Sequence, residues 1–425
     1  MKLKRNILLG LVLSGVVHCF ADDNKIERKP LSIVGSYQLG QIHQMIREGH
    51  PDSNVVVQRI GVWALQEGTI NDRLAISLGW GGLFFNPYPA IVGSPDTQRK
   101  YFASGLVQAK AEYTFGDLEK PYLKLALGNF PYKYNPDAKN LGEYLFRASA
   151  YPGILTTGGF EVVNSAYASL QGFKASSQFG NGKVDLLLTS ETTLAPLHDF
   201  SVSLLGSYTV GKALDLGAGV NFNRLIQVRP SLDTPKKLKN SYVKAPGDTG
   251  YYTFASTKMI GRASFDPKAF MSSEVFGKDD LKIYGEVAAL GLTNYPFYYE
   301  KLSERMPMVI GFNIPTFKLL DVMSVEVESY TSKFPNDWRR VVRDGVPLPE
   351  LGDTTSTPYN PKAYEKDNIK WSVYAKKEVV SGLSIFVQVA RDHFRTLDIG
   401  WQPETNEVLT KKDHWYYLAN VVYGF

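Results

Sequence analysis

His414-Trp-Tyr-Tyr-Leu-Ala-Asn-Val-Val-Tyr-Gly-Phe425 is the stretch that decides the fold. At period two, Trp415, Tyr417, Ala419, Val421, Tyr423 and Phe425 share one face, and all are apolar. Period two is the mark of a strand, whose successive side chains point to opposite sides. A strand that is apolar along one whole side, with aromatics at both ends, suits a barrel wall that faces hydrocarbon and anchors at both interfaces. An edge strand of a soluble sandwich is the rival reading of this segment.

The opposite terminus favours the barrel. Met1 to Ala21 begins with basic Lys2, Lys4 and Arg5, continues with an apolar run from Ile7 to Val17, and breaks before Asp22-Asp23. That layout predicts a secretory signal peptide over 1–21, cut after Ala21. A lipidated Cys19 is the alternative, and His18 stands against it where a small residue is expected. Cys19 is the only cysteine. The mature chain is therefore expected to hold no disulfide, no thiol nucleophile and no cysteine-based metal site.

Composition narrows the class further. No run of 18 apolar residues follows the signal, so no transmembrane helix is predicted. Mean hydropathy is −0.18, although the chain is rich in Tyr (25), Phe (23) and Gly (37). An exported barrel reconciles the two, because every second side chain faces water. A formal charge of +5 without a basic run predicts no nucleic-acid partner.

On Val421, Tyr423 and Phe425 the chain resembles bacterial outer-membrane β-barrel proteins. The resemblance implies recognition of the last strand by the barrel-assembly machinery, and contact with outer-membrane lipids and lipopolysaccharide. The layout of the whole mature length is similar to that of general porins. Sixteen antiparallel strands are expected between residues 31 and 425, one closed all-β domain preceded by a short periplasmic segment, 22–30. Long gaps at 45–54, 88–104, 132–162, 194–200, 229–250, 296–306, 335–367 and 399–413 alternate with gaps at 71–73, 117–121, 180–183, 211–213, 267–280, 319–321 and 380–382. A barrel with long extracellular loops and short periplasmic turns requires such alternation. Asn71-Asp72, Asn181-Gly182, Gly211-Lys212 and Ser381-Gly382 supply turn chemistry. The long exception, 267–280, reads as a small helix with Asp266 as cap, Pro267 in the first turn and Gly277 at its end.

Alternation predicts which residues face inward. Val107, Ala109, Ala111, Tyr113 and Phe115 form one apolar face opposite Gln108, Lys110, Glu112 and Thr114. Similar faces run from Val202 to Val210, from Leu214 to Phe222 and from Ile369 to Ala375. The charged positions expected on the inner wall are Arg59, Lys110, Glu112, Lys124, Lys258, Arg262, Lys282, Glu286, Glu326, Glu328, Lys370 and Lys376. Unpaired charge is costly in a dry core, so the inner wall reads as wet. Cross-strand salt bridges that satisfy one another are the plain alternative for each residue. A ring of 16 strands leaves an aqueous channel, and the nine residues from Asp22 to Pro30 leave no room for a plug domain. Loop 132–162 is the third long connection, the one that folds into the channel in general porins. By that resemblance Glu143, Tyr144, Arg147 and Tyr151 are candidates for a pore constriction; an ordinary surface loop packed on its own aromatics is the alternative. The loop 335–367, with Trp338-Arg339-Arg340 and Arg343, is the second candidate, or a lipopolysaccharide contact.

The expected function is passive diffusion of small hydrophilic solutes or ions. A structural or adhesive barrel, or a hydrophobic-substrate transporter with a blocked lumen, remains the alternative. Catalysis is not expected: His43, His50, His198, His393 and His414 have no hydrolase-like setting, and no cofactor or metal motif appears. The porin resemblance makes a homotrimer possible.

Overall fold

The computed structural model describes residues 26–43, 55–88, 101–146, 168–191, 198–226, 228, 240–245, 248–252, 256–271, 274–292, 301–330, 369–392 and 415–424. Sixteen strands form the ring: β1 Ser32–His43, β2 Val55–Ile70, β3 Leu74–Tyr88, β4 Tyr101–Gly116, β5 Pro121–Tyr132, β6 Ala168–Phe179, β7 Gly182–Ser190, β8 Phe200–Val210, β9 Leu214–Ile226, β10 Ser256–Phe265, β11 Ile283–Ala289, β12 Met308–Asn313, β13 Val322–Ser329, β14 Ile369–Val380, β15 Leu383–Arg391 and β16 Trp415–Gly424. Each pairs antiparallel with its neighbours in sequence. The ring closes where β16 meets β1, in a ladder from Trp415↔His43 to Gly424↔Val34. Phe425, the last residue of the motif, lies outside the described residues.

Closure leaves no strand edge to be covered. Along the seam, Tyr423 lies over Gly35, where a Cβ atom would come within 2.4 Å of its ring. The three-residue strand Ile26–Arg28 pairs with Gly68–Ile70 and prolongs the β1 edge of β2 beyond Pro30. It adds to the short-turn end of the sheet without becoming another stave.

The pleat sorts the side chains into an apolar outer face and a buried inner one. On β16, Tyr417 and Tyr423 are exposed, while Tyr416, Leu418, Asn420 and Val422 are buried. Exposed Leu39, Val62, Trp80, Leu106, Leu127, Leu204, Ile310 and Val387 continue the apolar surface over strands all round the ring. An outer wall of this kind is built to face hydrocarbon. No described helix is long and apolar enough to cross a membrane, so any crossing is made by strands.

The connections alternate in length as expected, with local differences. Asn71 (φ +50°) and Asp72 (φ +57°) both take the left-handed conformation that a tight hairpin demands. In the next-but-one hairpin, Phe179 pairs with Gly182, so the turn is made by Gly180 (φ +54°) and Asn181 rather than by Asn181-Gly182. On β4 a bulge falls between two ladder partners: Gly79 pairs with Gln108, and Trp80 with Leu106. Val107 is the extra residue, and its side chain reaches toward Gly79 and Gly81 on the inner face, so Leu106 takes the outward place expected of Val107. Strand β12 ends at Asn313, earlier than the sequence pattern suggests, because Pro315 cannot donate to the ladder. Residues 251–252 belong to a separate hairpin, Asn240–Ala245 with Asp248–Tyr252, within a long connection.

The expected helix at 267–280 shrinks to one 3-10 turn, Pro267–Phe270, with Asp266 accepting from the Lys268 amide. It ends at Met271, and Gly277 instead donates its amide to the Asp280 carboxylate. Asp280 is buried and also accepts from Thr316 Oγ1 and the Phe317 amide, both at 3.2 Å. One carboxylate thereby staples the β10–β11 connection to the β12–β13 connection. Competition from that staple explains the short helix: the chain turns to reach Asp280 instead of winding on.

Candidate functional site

Residues 133–146 leave β5 and lie against the inner faces of β11 and β13, the latter half-way round the ring. Two carboxylates receive them. Glu286 on β11 accepts the Tyr134 hydroxyl (2.6 Å), the Asn135 side-chain amide (2.8 Å) and the main-chain amides of Glu143 and Tyr144 (3.0 Å each). Glu326 on β13 accepts the amides of Lys139 (2.6 Å), Asn140 (2.8 Å) and Leu141 (2.7 Å), together with the Tyr284 hydroxyl (2.7 Å). A carboxylate has about four lone-pair sites, so both groups are saturated. Their exposures are 3% and 1%.

The loop's own geometry makes this possible. Gly142 (φ +88°) and Glu143 (φ +60°) are successive left-handed residues, which turns the next main-chain amides into one anion-binding concavity. A non-glycine residue at positive φ is uncommon; here the Glu143 carboxylate accepts the Asn135 amide and fixes the turn. Two further contacts extend the grip. Tyr144 donates its hydroxyl to Glu328 at 3.0 Å. The Asn140 side chain donates to Asp392, which also accepts from Tyr416.

Apolar packing accompanies the polar anchors. Leu141, Tyr144, Leu145 and Phe146 join Leu187, Leu205, Ile260, Ala288 and Val309 in one buried cluster. The inner face between β7 and β12 therefore includes a dry patch, which differs from the uniformly wet wall expected. Leu205 is the clearest case, an apolar residue among the inward serines of β8. A dry patch is stable there because the loop covers it.

At the short-turn end, Lys282 joins the loop to the barrel through Asp137 (3.2 Å) and Asp279 (2.9 Å). Burial disfavours the Lys282 ammonium, but the two carboxylates outweigh it and hold its pKa above the ordinary lysine value. Burial works against the Asp279 carboxylate too, and the bond from Lys282 overrides it, leaving that pKa below the usual carboxylate range. Burial and then Glu286 push the Tyr134 phenol well up. Burial draws the Lys133 ammonium down, against the pull of Glu143.

A second group of charges lines the arc from β4 to β10. Glu112 faces Lys110 at 3.5 Å and Lys174 at 3.8 Å. Lys183 pairs with Asp185 at 2.8 Å, and Asp185 also accepts the Tyr132 hydroxyl. Arg262 pairs with Asp215 at 2.5 Å, its guanidinium lying over Gly217. Between this arc and the base of the loop is a recess of about 310 Å³, lined by Tyr132, Lys133, Lys183, Asp185, Asp215 and Arg262 among others.

Of the residues expected on the inner wall, Lys258, Lys370 and Glu328 are buried, and Lys376 lies 5.4 Å from the Phe386 ring. Lys124 stands opposite Ser176 on β6. The Arg59 side chain lies outside the described residues, as do Arg147, Tyr151 and the loop with Trp338 and Arg343. Of the constriction candidates, Tyr144 turns its hydroxyl to Glu328 on the barrel wall, and the Glu143 carboxylate turns back onto the Asn135 amide within the loop. Asn140 and Asp392 sit in no sequence motif, and the turn-forming run Asn135-Pro136-Asp137 is the local signal in this segment. His198 is exposed at φ +72° and bonds only through its main-chain amide to Glu191 among the bonds described.

No known protein family matches this chain, and no curated protein does. Among solved structures, it is similar to an engineered Rh. blastica porin at 8% identity and a TM-score of 0.47, and to a second such variant at 8% and 0.45. A Rhodopseudomonas blastica porin triple mutant gives 8% and 0.44. Each alignment covers 94% of this chain and 100% of the other. At such identities and scores the likeness carries no argument, and the barrel rests on its own strand pairing.

Proposed function

We propose that this chain is an outer-membrane porin through which small hydrophilic solutes or ions diffuse passively. Residues 1–21 act as the export signal, the short-turn end faces the periplasm and the long-loop end faces outward. The observation that supports this reading best is the seating of main-chain amides 139–141 and 143–144 on Glu326 and Glu286. A segment that starts on β5 and bonds to β13 crosses the interior, so it narrows the passage. The charged arc with Lys110, Lys174, Lys183 and Arg262 then forms the other side of the constriction.

No group of three His, Cys, Asp or Glu suited to a metal occurs among the described residues, and the reading needs none. The apolar cluster around Leu145 and Val309 favours one rival, a lumen closed by the loop. Conductance separates them. Purified protein, shown folded by heat-modifiable gel mobility, is expected to give stable open steps in planar bilayers. Folded protein with no steps would overturn the diffusion reading and favour the closed barrel.

A further inference from the structure

We propose that the β10–β11 connection and the adjoining β12–β13 turn form an apolar foot embedded in the periplasmic leaflet of the membrane. This inference rests on the reading of the ring as a membrane-spanning barrel, and not on conduction.

Strand β12 has six residues, bounded on one side by the 3-10 turn Leu302–Arg305 and on the other by the turn that follows Asn313. Its backbone ladder runs on past both ends, from the Leu290 amide on the Arg305 carbonyl to the Ile314 amide on the Met323 carbonyl, so about ten residues at about 3.4 Å each and a tilt of about 40° give about 25 Å of height. The apolar band of such barrels is about 25 Å tall.

Apolar side chains continue past the short-turn ends of these strands. Phe270 and Leu319 are each 76% exposed, and Met271, Val275 and Phe317 are at least half exposed. The patch is continuous with the lipid-facing wall. Phe265, Ile283 and Phe312 form an exposed row across the register of β10, β11 and β12. The Phe270 ring lies 6.1 Å from that of Phe265.

The foot is also held rigidly in its exposed position. Phe317 (φ +54°) and Lys318 (φ +66°) are adjacent residues in the left-handed region, an outlier for a bulky aromatic. The bonds to Asp280 hold the turn there, and Phe317 stacks on Phe276 at 5.6 Å. A solvent-facing turn would take glycine at such positions. A strained and exposed phenylalanine fits a surface that meets lipid.

Single cysteines labelled with an environment-sensitive fluorophore provide the test, in a Cys19→Ser chain refolded into phosphatidylethanolamine–phosphatidylglycerol vesicles. Labels at Phe270→Cys and Leu319→Cys are expected to match the lipid-facing control Leu204→Cys, with blue-shifted emission and quenching by lipid-borne nitroxides. They should differ from Lys212→Cys in the short β8–β9 turn. If positions 270 and 319 emit as position 212 does while 204 reports lipid, the foot is wrong and the barrel reading stands. If 204 itself reports water in heat-modifiable protein, the membrane reading fails first and the foot with it. As a second readout, Phe270→Asp with Leu319→Asp should move the best folding yield toward thinner bilayers; an unchanged optimum would overturn the proposal.

Discussion

The two sides of the inner wall obey the same pleat and do opposite things with charge. On β11 and β13, Glu286 and Glu326 are buried and saturated by amides of a loop that arrives from the far side. On β4 to β7, Glu112 and Asp185 pair with lysines of their own strand or of the next strand but one, and Lys183 stays half exposed. A charge on an inner face is thus either an anchor or a lining, and the covering loop makes the difference.

Experiments can break that contrast. The largest effect is expected from Glu286→Ala combined with Glu326→Ala. Removing one member of a buried charged network costs about 3–5 kcal/mol, so the loop should detach. Single-channel conductance is expected to rise and protease to cut within 133–146; unchanged conductance would mean that the loop does not set the passage. Leu145→Ala attacks the same docking through packing, at about 2–5 kcal/mol for a buried leucine. It should lower thermal stability and loosen the loop without changing ion selectivity, as measured by reversal potential.

The lining arc should respond the other way. Lys183→Gln is expected to shift reversal potential toward cations and, because it leaves the buried Asp185 carboxylate without its charged partner, to lower stability by about 1–3 kcal/mol. A larger stability loss would make that lysine an anchor too.

The Lys282 link gives the smallest effect, and it is a pH effect. Its raised pKa means that its contribution is present below about 10.4, the ordinary lysine value. It is lost as pH rises through the folded value. Asp279, with a depressed pKa, contributes above about 3.9 and loses that contribution as pH falls through its folded value. Tip docking should therefore hold across the neutral range and weaken at both extremes, with Lys282→Met flattening the alkaline limb in a hydrogen-exchange profile of residues 137–146.

The ring of strands was legible because an apolar outer face at period two survives in almost every stave, and Asn71-Asp72 announces its turn. Local slips were not. The bulge at Val107 exchanges faces within an otherwise regular pattern, and nothing in the residue type announces it. Glu286 and Glu326 were legible as inward charges, but their partners are main-chain amides, which every residue carries and no sequence displays. Leu205 could be understood only once the loop that covers it was in place. Asp392 carries no signal of its own, because its bond to the Asn140 side chain joins positions 252 residues apart.

The seam between β1 and β16 has a consequence for how the molecule is made. The first stave must wait for the last one to be delivered, and until then the growing sheet has two open borders inviting the wrong neighbour. Such distant pairing is slow to form. Closure is therefore a late event, because β1 can satisfy its free border only once β16 has formed.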